Sequence, residues 1–300
     1  MERLRPGLVL SERYRLCGHV ASGGMGQVWD AFDDTLERRV ALKIMHPHTE
    51  DEIARAERFR DEARFAAQLT HPNIVTVHDY AEFDGLSYLV MEFVEGQTLA
   101  ALLDPGPLNA EQVRTILYEL ASALVVAHEA GTIHRDIKPA NVLVSSTGAK
   151  LTDFGIARSV DGQSHTLTGQ VMGTAHYLSP EHALGQHLGP ASDIYGLGVL
   201  AFEMLTGNKP FDRGSPIATA LAHVQDPPPE LPDGTPLDLA GMVNACLEKQ
   251  PDKRPSAALL ARMLEPEVLV HVEASSSYDD SDSQVTEQLV AVPRRAVLED

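Results

Sequence analysis

Residues 134–144 read HRDIKPANVLV, which sets Asp136, Lys138 and Asn141 within six positions of one another. A second carboxylate follows at Asp153, in the triplet Asp153-Phe154-Gly155. A base, a cation and two oxygen donors suit a reaction in which a hydroxyl attacks a metal-bound phosphate. Mg2+ takes oxygen ligands such as Asp and Asn and keeps room for water and phosphate oxygens. Such chemistry needs positioning and charge neutralisation more than a covalent intermediate.

A phosphate also needs a cradle, and residues 21–29, ASGGMGQVW, offer three glycines in four positions. Alone the motif reads equally as a phosphate loop or a tight turn. A dinucleotide site would need a helix directly after the glycines, yet QVWDAF continues as a β-run. A Walker loop would need Gly-Lys-Ser/Thr, which is missing. A hairpin turn fits the flanking residues.

The elements that must position these groups fall into two regions. Residues 14–45 and 74–91 hold short β-rich runs, with Asp84-Gly85 as a turn signal. Between them DEIARAERFRDEARFAAQL, residues 51–69, has helical composition and is stopped by His71-Pro72-Asn73. Beyond about residue 95 helices take over. Asn109 is the expected N-cap for a long helix with Val113, Ile116, Leu117, Leu120 and Leu124 on one face, ending near Gly131. Residues 191–206 read as a helix apolar on most sides, hence buried. A Pro-rich loop from Pro227 to Pro236 precedes helices around 237–248 and 256–264.

Composition excludes several classes. The net charge of −19 argues against nucleic-acid binding through a basic surface. No apolar run approaches the ~18–20 residues that span a bilayer, and the charged start MERLRPGLVLSERYRL does not read as a secretory signal. The two cysteines, Cys17 and Cys246, lie far apart, so a reduced cytoplasmic compartment without structural zinc is expected. Residues 267–300 carry eight acidic and two basic side chains with a Ser- and Asp-rich stretch, and read as a disordered tail.

HRDIKPAN, Asp-Phe-Gly, VALK at 40–43 and SPE at 179–181 together resemble the signature set of eukaryotic-type (Hanks-type) protein kinases, in matching order across roughly residues 14–264. SGGMG, HPNIV, VMEFVEG, GTAHYLSPE and SDIYGLG are most similar to bacterial, especially actinobacterial, serine/threonine kinases. The resemblance implies an α+β, two-lobed protein kinase fold. It comprises an extension at 1–13, a β-rich N-lobe at 14–94, a helical C-lobe at 95–266 and the acidic tail at 267–300.

The resemblance also implies roles. Lys43 would hold the α- and β-phosphates of ATP, steadied by a helix glutamate. Glu62 shares the apolar face of Phe59, Ala66 and Leu69, and an inward carboxylate needs a cation; the other reading is a surface glutamate at the edge of that face. Asp136 would take the substrate hydroxyl proton, and Asn141 with Asp153 would hold Mg2+, with Mn2+ as an alternative. The plainer readings are a turn cap at Asp136 and a strand end at Asp153. His134 and Phe154 would be packing residues. Lys138, two places after Asp136, resembles serine/threonine kinases, where it contacts the transferred phosphate. Ala21, Ser22, Gly23, Gly24, Met25 and Gly26 would lie over the ATP phosphates, with Gly23 and Gly26 nearest them. Val28, Ala41 and Leu143 would sandwich adenine beside the gatekeeper Met91, and the backbones of Glu92 and Val94 would bond its edge.

Regulation is implied in the same way. Arg135 would meet a phosphate on the activation segment, where Thr166 and Thr168 align with autophosphorylated threonines; the bland reading is loop polarity. Thr174 would bond Asp136 and Lys138 from the substrate side. Glu181 would pair with Arg254 as a buried structural pair, and Asp193 would anchor the catalytic loop. Two residues depart from the pattern: Ala21 replaces the first loop glycine, and Ser179 the usual alanine before Pro-Glu. Expected partners are Ser/Thr-bearing proteins and a transient homodimer through the N-lobe. No nucleic acid and no membrane segment in this chain are expected, and the resemblance leaves open a soluble kinase or the cytoplasmic part of a membrane receptor kinase. A pseudokinase is the competing reading, and the presence of Lys43, Asp136 and Asp153 tells against it.

Overall fold

β-branched and aromatic runs broken by short polar turns make the first third of the chain a sheet, in a computed structural model that describes residues 4–23, 26–45, 60, 63–64, 66–154 and 175–266. Gly24, Met25, Glu62, Thr166, Thr168, Thr174 and the tail at 267–300 fall outside the described residues. Strands β1 (Val9–Leu10), β2 (Tyr14–Gly23), β3 (Gly26–Asp33), β4 (Arg38–Met45), β5 (Val77–Phe83) and β6 (Leu86–Glu92) form an antiparallel sheet in the order β1-β2-β3-β4-β6-β5. Asp84 and Gly85 join β5 to β6 with φ of +49° and +73°, the left-handed pair that a two-residue hairpin requires.

The sheet starts earlier than residue 14. Val9 and Leu10 pair with Arg15 and Tyr14, and Leu10 is fully buried. The intervening turn runs through Ser11 and Glu12 at φ +50° and +55°, with neither glycine nor asparagine to signal it in the sequence.

Alternation along the strands gives the sheet two faces. Trp29, Val40, Leu42, Ile44, Tyr88 and Val90 pack with Leu10, Tyr14 and Leu16 into the core of this lobe. The opposite face carries Val28, Ala41, Lys43, Leu89 and Met91. Val28 pairs across strands with Lys43, Lys43 with Leu89, and Ala41 with Met91, so their side chains share that side. Ala63, Val75, Leu89 and Met91 are buried there, with Ala41, Val94 and Leu143 packed against them.

The larger part is helical. The helices are α1 (Leu99–Leu103), α2 (Ala110–Glu129), α3 (Pro180–Ala183), α4 (Pro190–Thr206), α5 (Pro216–Gln225), α6 (Leu237–Cys246) and α7 (Ala257–Leu264). Asn109 and Gln112 close a capping box on α2, whose buried side includes the five residues read from its periodicity. The run from Ser192 to Phe202 in α4 is buried throughout. A Cβ on Gly198 would stand 2.7 Å from Cys246 Cβ, so this glycine lets α4 lie close against α6. The segment β7 (Gly96–Thr98), β8 (Val142–Ser145) and β9 (Gly148–Leu151) makes a second, antiparallel sheet. Among the described residues no helix is long and apolar enough to cross a membrane.

The segment HPNIV stitches the two parts together. Leu151 N–H donates to Asn73 O at 2.9 Å, Val75 N–H to Leu151 O at 2.8 Å, and Asn73 Nδ2 to Ala149 O at 2.8 Å.

Candidate active site

The loop carrying Asp136 hangs from helix α4. Asp193 sits in the first turn of α4, where a carboxylate is favoured by the helix dipole. Its Oδ2 accepts from His134 N–H at 2.9 Å and its Oδ1 from Arg135 N–H at 2.7 Å. His128, at the end of α2, meets the same Oδ2 at 2.8 Å. These bonds hold Arg135 at φ +67°, a conformation costly for a non-glycine residue.

His134 is fully buried and edge-on to Phe154. Its Nδ1 accepts from Asp136 N–H at 3.2 Å, so Nε2 carries the proton that is donated to Thr152 O at 2.9 Å. The imidazole braces Asp136 against the Asp153 segment, and its ring nitrogens are both engaged.

Asp136 has two unlike oxygens. Oδ2 accepts from Lys138 Nζ at 2.6 Å and from Asn141 Nδ2 at 3.1 Å. Asn141 Nδ2 also donates to the Asp136 carbonyl at 2.8 Å, which fixes the amide and leaves its Oδ1 as the donor atom for a cation. Oδ1 of Asp136 is buried and has no hydrogen bond among the described residues. A buried acceptor without a partner is costly and marks a place where a donor is wanted.

Lys43 reaches across the seam from β4. Its Nζ lies 2.7 Å from Asp153 Oδ1, and the lysine is buried while the carboxyl keeps some exposure. Burial pushes the Asp153 carboxyl up, but the charge and hydrogen bond of Lys43, with smaller help from His134 and Lys138, pull it below the usual carboxylate range. Asp153 also takes a positive φ, +65°. Lys43, Asp136, Lys138, Asn141 and Asp153 thus converge on the seam between the two sheets. Glu62 lies outside the described residues, so its pairing with Lys43 is not described.

The residues named for adenine gather on the seam face: Ala41, Met91, Val94 and Leu143 in one apolar cluster, with Val28 on the same side of the sheet. Glu92 ends β6, its N–H bonded to Thr76 O at 2.9 Å. Its side chain meets Lys150 of β9 at 2.7 Å, a contact that motif spacing does not reveal.

The glycine loop is a hairpin. Gly23 pairs with Gly26 and Ala21 with Val28, and Ala21, Ser22 and Gly23 are exposed. The two pairing glycines differ in their reasons. A Cβ on Gly23 would meet nothing within 4 Å, whereas one on Gly26 would stand 2.1 Å from Ile44 O. Close approach of β3 to β4 therefore requires glycine at 26, independently of any phosphate.

Glu181 and Arg254 meet in a two-pronged pair, Oε1–Nη1 and Oε2–Nη2 both at 2.8 Å. Ser192 Oγ adds a bond to Glu181 Oε1 at 2.7 Å. Arg254 also donates to the carbonyls of Glu248, Ala191 and Lys249, so all five of its N–H groups are used.

The family model for the protein kinase domain matches residues 14–264, from the start of β2 to the end of α7. Serine/threonine-protein kinase PknA of Mycobacterium tuberculosis is 45% identical over 257 residues, covering 83% of this chain and 60% of that protein. Probable serine/threonine-protein kinase PknB of Lactococcus lactis is 43% identical over 228 residues, 75% of this chain and 36% of that protein. Serine/threonine-protein kinases drp72 of Corynebacterium efficiens is 39% identical over 248 residues, 80% of this chain and 48% of that protein. The chain thus spans 36–60% of the length of these curated relatives. The resemblance read from the motifs is borne out, and with the sheet, the helical lobe and the converging Lys43, Asp136 and Asp153 in place, the chain belongs to the protein kinase domain family.

Proposed function

We propose that the chain is an active serine/threonine protein kinase, transferring the γ-phosphate of Mg-ATP to Ser or Thr hydroxyls of proteins. The observation that carries this reading is the Asp136 carboxylate, with Oδ2 held by Lys138 and Asn141 and Oδ1 buried without a partner among the described residues. A substrate hydroxyl is the donor that Oδ1 wants: Asp136 orients it and takes its proton as the oxygen bonds to phosphorus. Lys138, beside that oxygen, offers charge to the transferred phosphate, and its position two places after Asp136 favours Ser/Thr specificity. Lys43 carries the remaining cation, for the α- and β-phosphates.

The donor set fits Mg2+, which prefers hard oxygens: the amide oxygen of Asn141 and the Asp153 carboxylate would hold it. When bound, Mg2+ neutralises phosphate charge and orients the leaving group. Val28, Ala41, Met91, Val94 and Leu143 support an adenine slot, with the backbones of Glu92 and Val94 at its edge. Activation by phosphorylation of Thr166 and Thr168, a Thr174 contact to the catalytic loop, a Glu62–Lys43 pair, transient pairing of small lobes and a cytoplasmic setting belong to the same reading and rest on family position.

Incorporation of label from ATP with Mg2+, compared between wild type and Asp136→Asn, tests it. Asn keeps the shape but cannot accept the proton, so turnover should fall by roughly 10²–10⁴-fold. Equal or absent incorporation in both proteins would remove the reading. Phosphopeptide mapping should find label at Thr166 or Thr168, and label only within 275–286 would overturn the activation model.

A further inference from the structure

Lys150 belongs to no motif named above, yet it closes a loop of contacts around the slot. It is the direct cross-strand partner of Leu143 in the β8–β9 hairpin, so both side chains stand on the same face. From there Nζ reaches both oxygens of Glu92, at 2.7 and 3.0 Å, and both side chains are mostly shielded, 15% and 29% exposed. Glu92 is itself pinned to residue 76. Its N–H donates to Thr76 O, and its Oε2 accepts from Thr76 N–H at 3.3 Å. Residues 73–75 are in turn sewn onto β9 by the three bonds described for the seam. The path from β9 through residues 73–76 to Glu92 and back through Lys150 is therefore a closed ring.

We propose that Lys150 is a positioning residue for the nucleotide, acting through Glu92 to fix the end of β6 at a set distance from Leu143. The inference rests on the kinase reading, since it concerns the slot where adenine would lie. Two consequences of the ring give it force. The gap between the floor at Leu143 and the backbone at Glu92 is set by an ion pair as well as by apolar contact. And Lys150 neutralises a shielded carboxylate at the mouth of a site meant for a polyanion, where an uncompensated negative charge would repel the ligand. The backbone just before Asp136, at His134 and Arg135, is held by Asp193 on α4 and not by the Lys150–Glu92 pair, so loss of Lys150 should act on binding more than on the transfer step.

ADP affinity by calorimetry, with KM for ATP and kcat, should be measured on the whole chain for wild type, Lys150→Met, Lys150→Gln, Lys150→Arg, Glu92→Gln and the double variant. Lys150→Met should weaken ADP and raise KM by about tenfold, the worth of one shielded charged hydrogen bond. Its kcat should stay within about twofold, since its change lies in binding. Lys150→Arg should recover most of the affinity, and the Glu92→Gln/Lys150→Met double variant should bind ADP better than Lys150→Met, because the stranded carboxylate is gone. Should Lys150→Met fail to fold, Lys150→Gln carries the same readout, with weakened ADP and steady kcat. Wild-type ADP affinity in both Lys150→Met and Lys150→Gln, or a loss of kcat at unchanged KM, would overturn the positioning role while leaving the kinase reading intact. A wild-type chain that neither binds ADP nor incorporates label would overturn both.

Discussion

Asp193 serves three partners with two oxygens, and the site's geometry depends on that arrangement. The N–H groups of His134 and Arg135 both point at it, and His128 fills the remaining direction. Replacing it with Asn would set an NH2 group against one of these backbone donors. The loop would shift, and Asp136 with it. We expect Asp193→Asn to lower kcat at saturating ATP by roughly 10–100-fold, with KM for ATP little changed, as steady-state kinetics would report. Residue types and the family resemblance made much of this legible: Asp136, Lys138, Asn141 and Asp153 sit close in the chain, and the resemblance assigned Asp193 its anchoring role. His128 and Lys150 were not legible. One is an ordinary histidine at a helix end, the other an ordinary strand lysine, and each gains its role only from a partner at least 58 positions away.

Elements divide the same way. The capping box of α2 and the Asp84-Gly85 hairpin are local signals and appear where the sequence places them. Strands β1, β7, β8 and β9 have two to four residues each, too few for periodicity to show, and they form because neighbouring chain supplies their partners. The glycines of the hairpin between β2 and β3 look alike in sequence but differ once the strands are paired. Gly26→Ala must push β3 from the Ile44 carbonyl and should cost about 1–3 kcal/mol of stability in denaturant unfolding. Gly23→Ala meets open space, so its unfolding midpoint should stay at or above the wild-type value. Equal effects of the two substitutions would contradict the paired hairpin.

Across the whole molecule, the Glu181–Arg254 pair ties α3 to the start of α4 and to the segment before α7. Burial raises the Glu181 carboxyl, yet the Arg254 and Ser192 hydrogen bonds outweigh it and hold the group at about 2, against an ordinary value of 4.5. A depressed carboxylate contributes stability that is fully present above its unfolded value and is lost as pH falls toward the folded one. Acid titration of the unfolding free energy should therefore drop more steeply for wild type than for Glu181→Gln between about pH 4.5 and 2. At neutral pH, Arg254→Met should destabilise by about 3–5 kcal/mol, because it strands a buried charge. Parallel pH curves for wild type and Glu181→Gln would mean that the pair carries no such linkage.

The alternation that puts Lys43 on the seam face of β4, and Leu42 and Ile44 in the small core, also bears on how the chain reaches this state. A one-residue slip of β4 against β3 or β6 would exchange the two sets at once. Lys43 would then enter an apolar interior with no carboxylate to meet it, and two large aliphatic groups would face the cleft. The misregistered sheet would reject itself during folding. The cation read here as a phosphate ligand thus doubles as a proofreader of strand alignment, and a neutral residue in its place would remove activity and fidelity together.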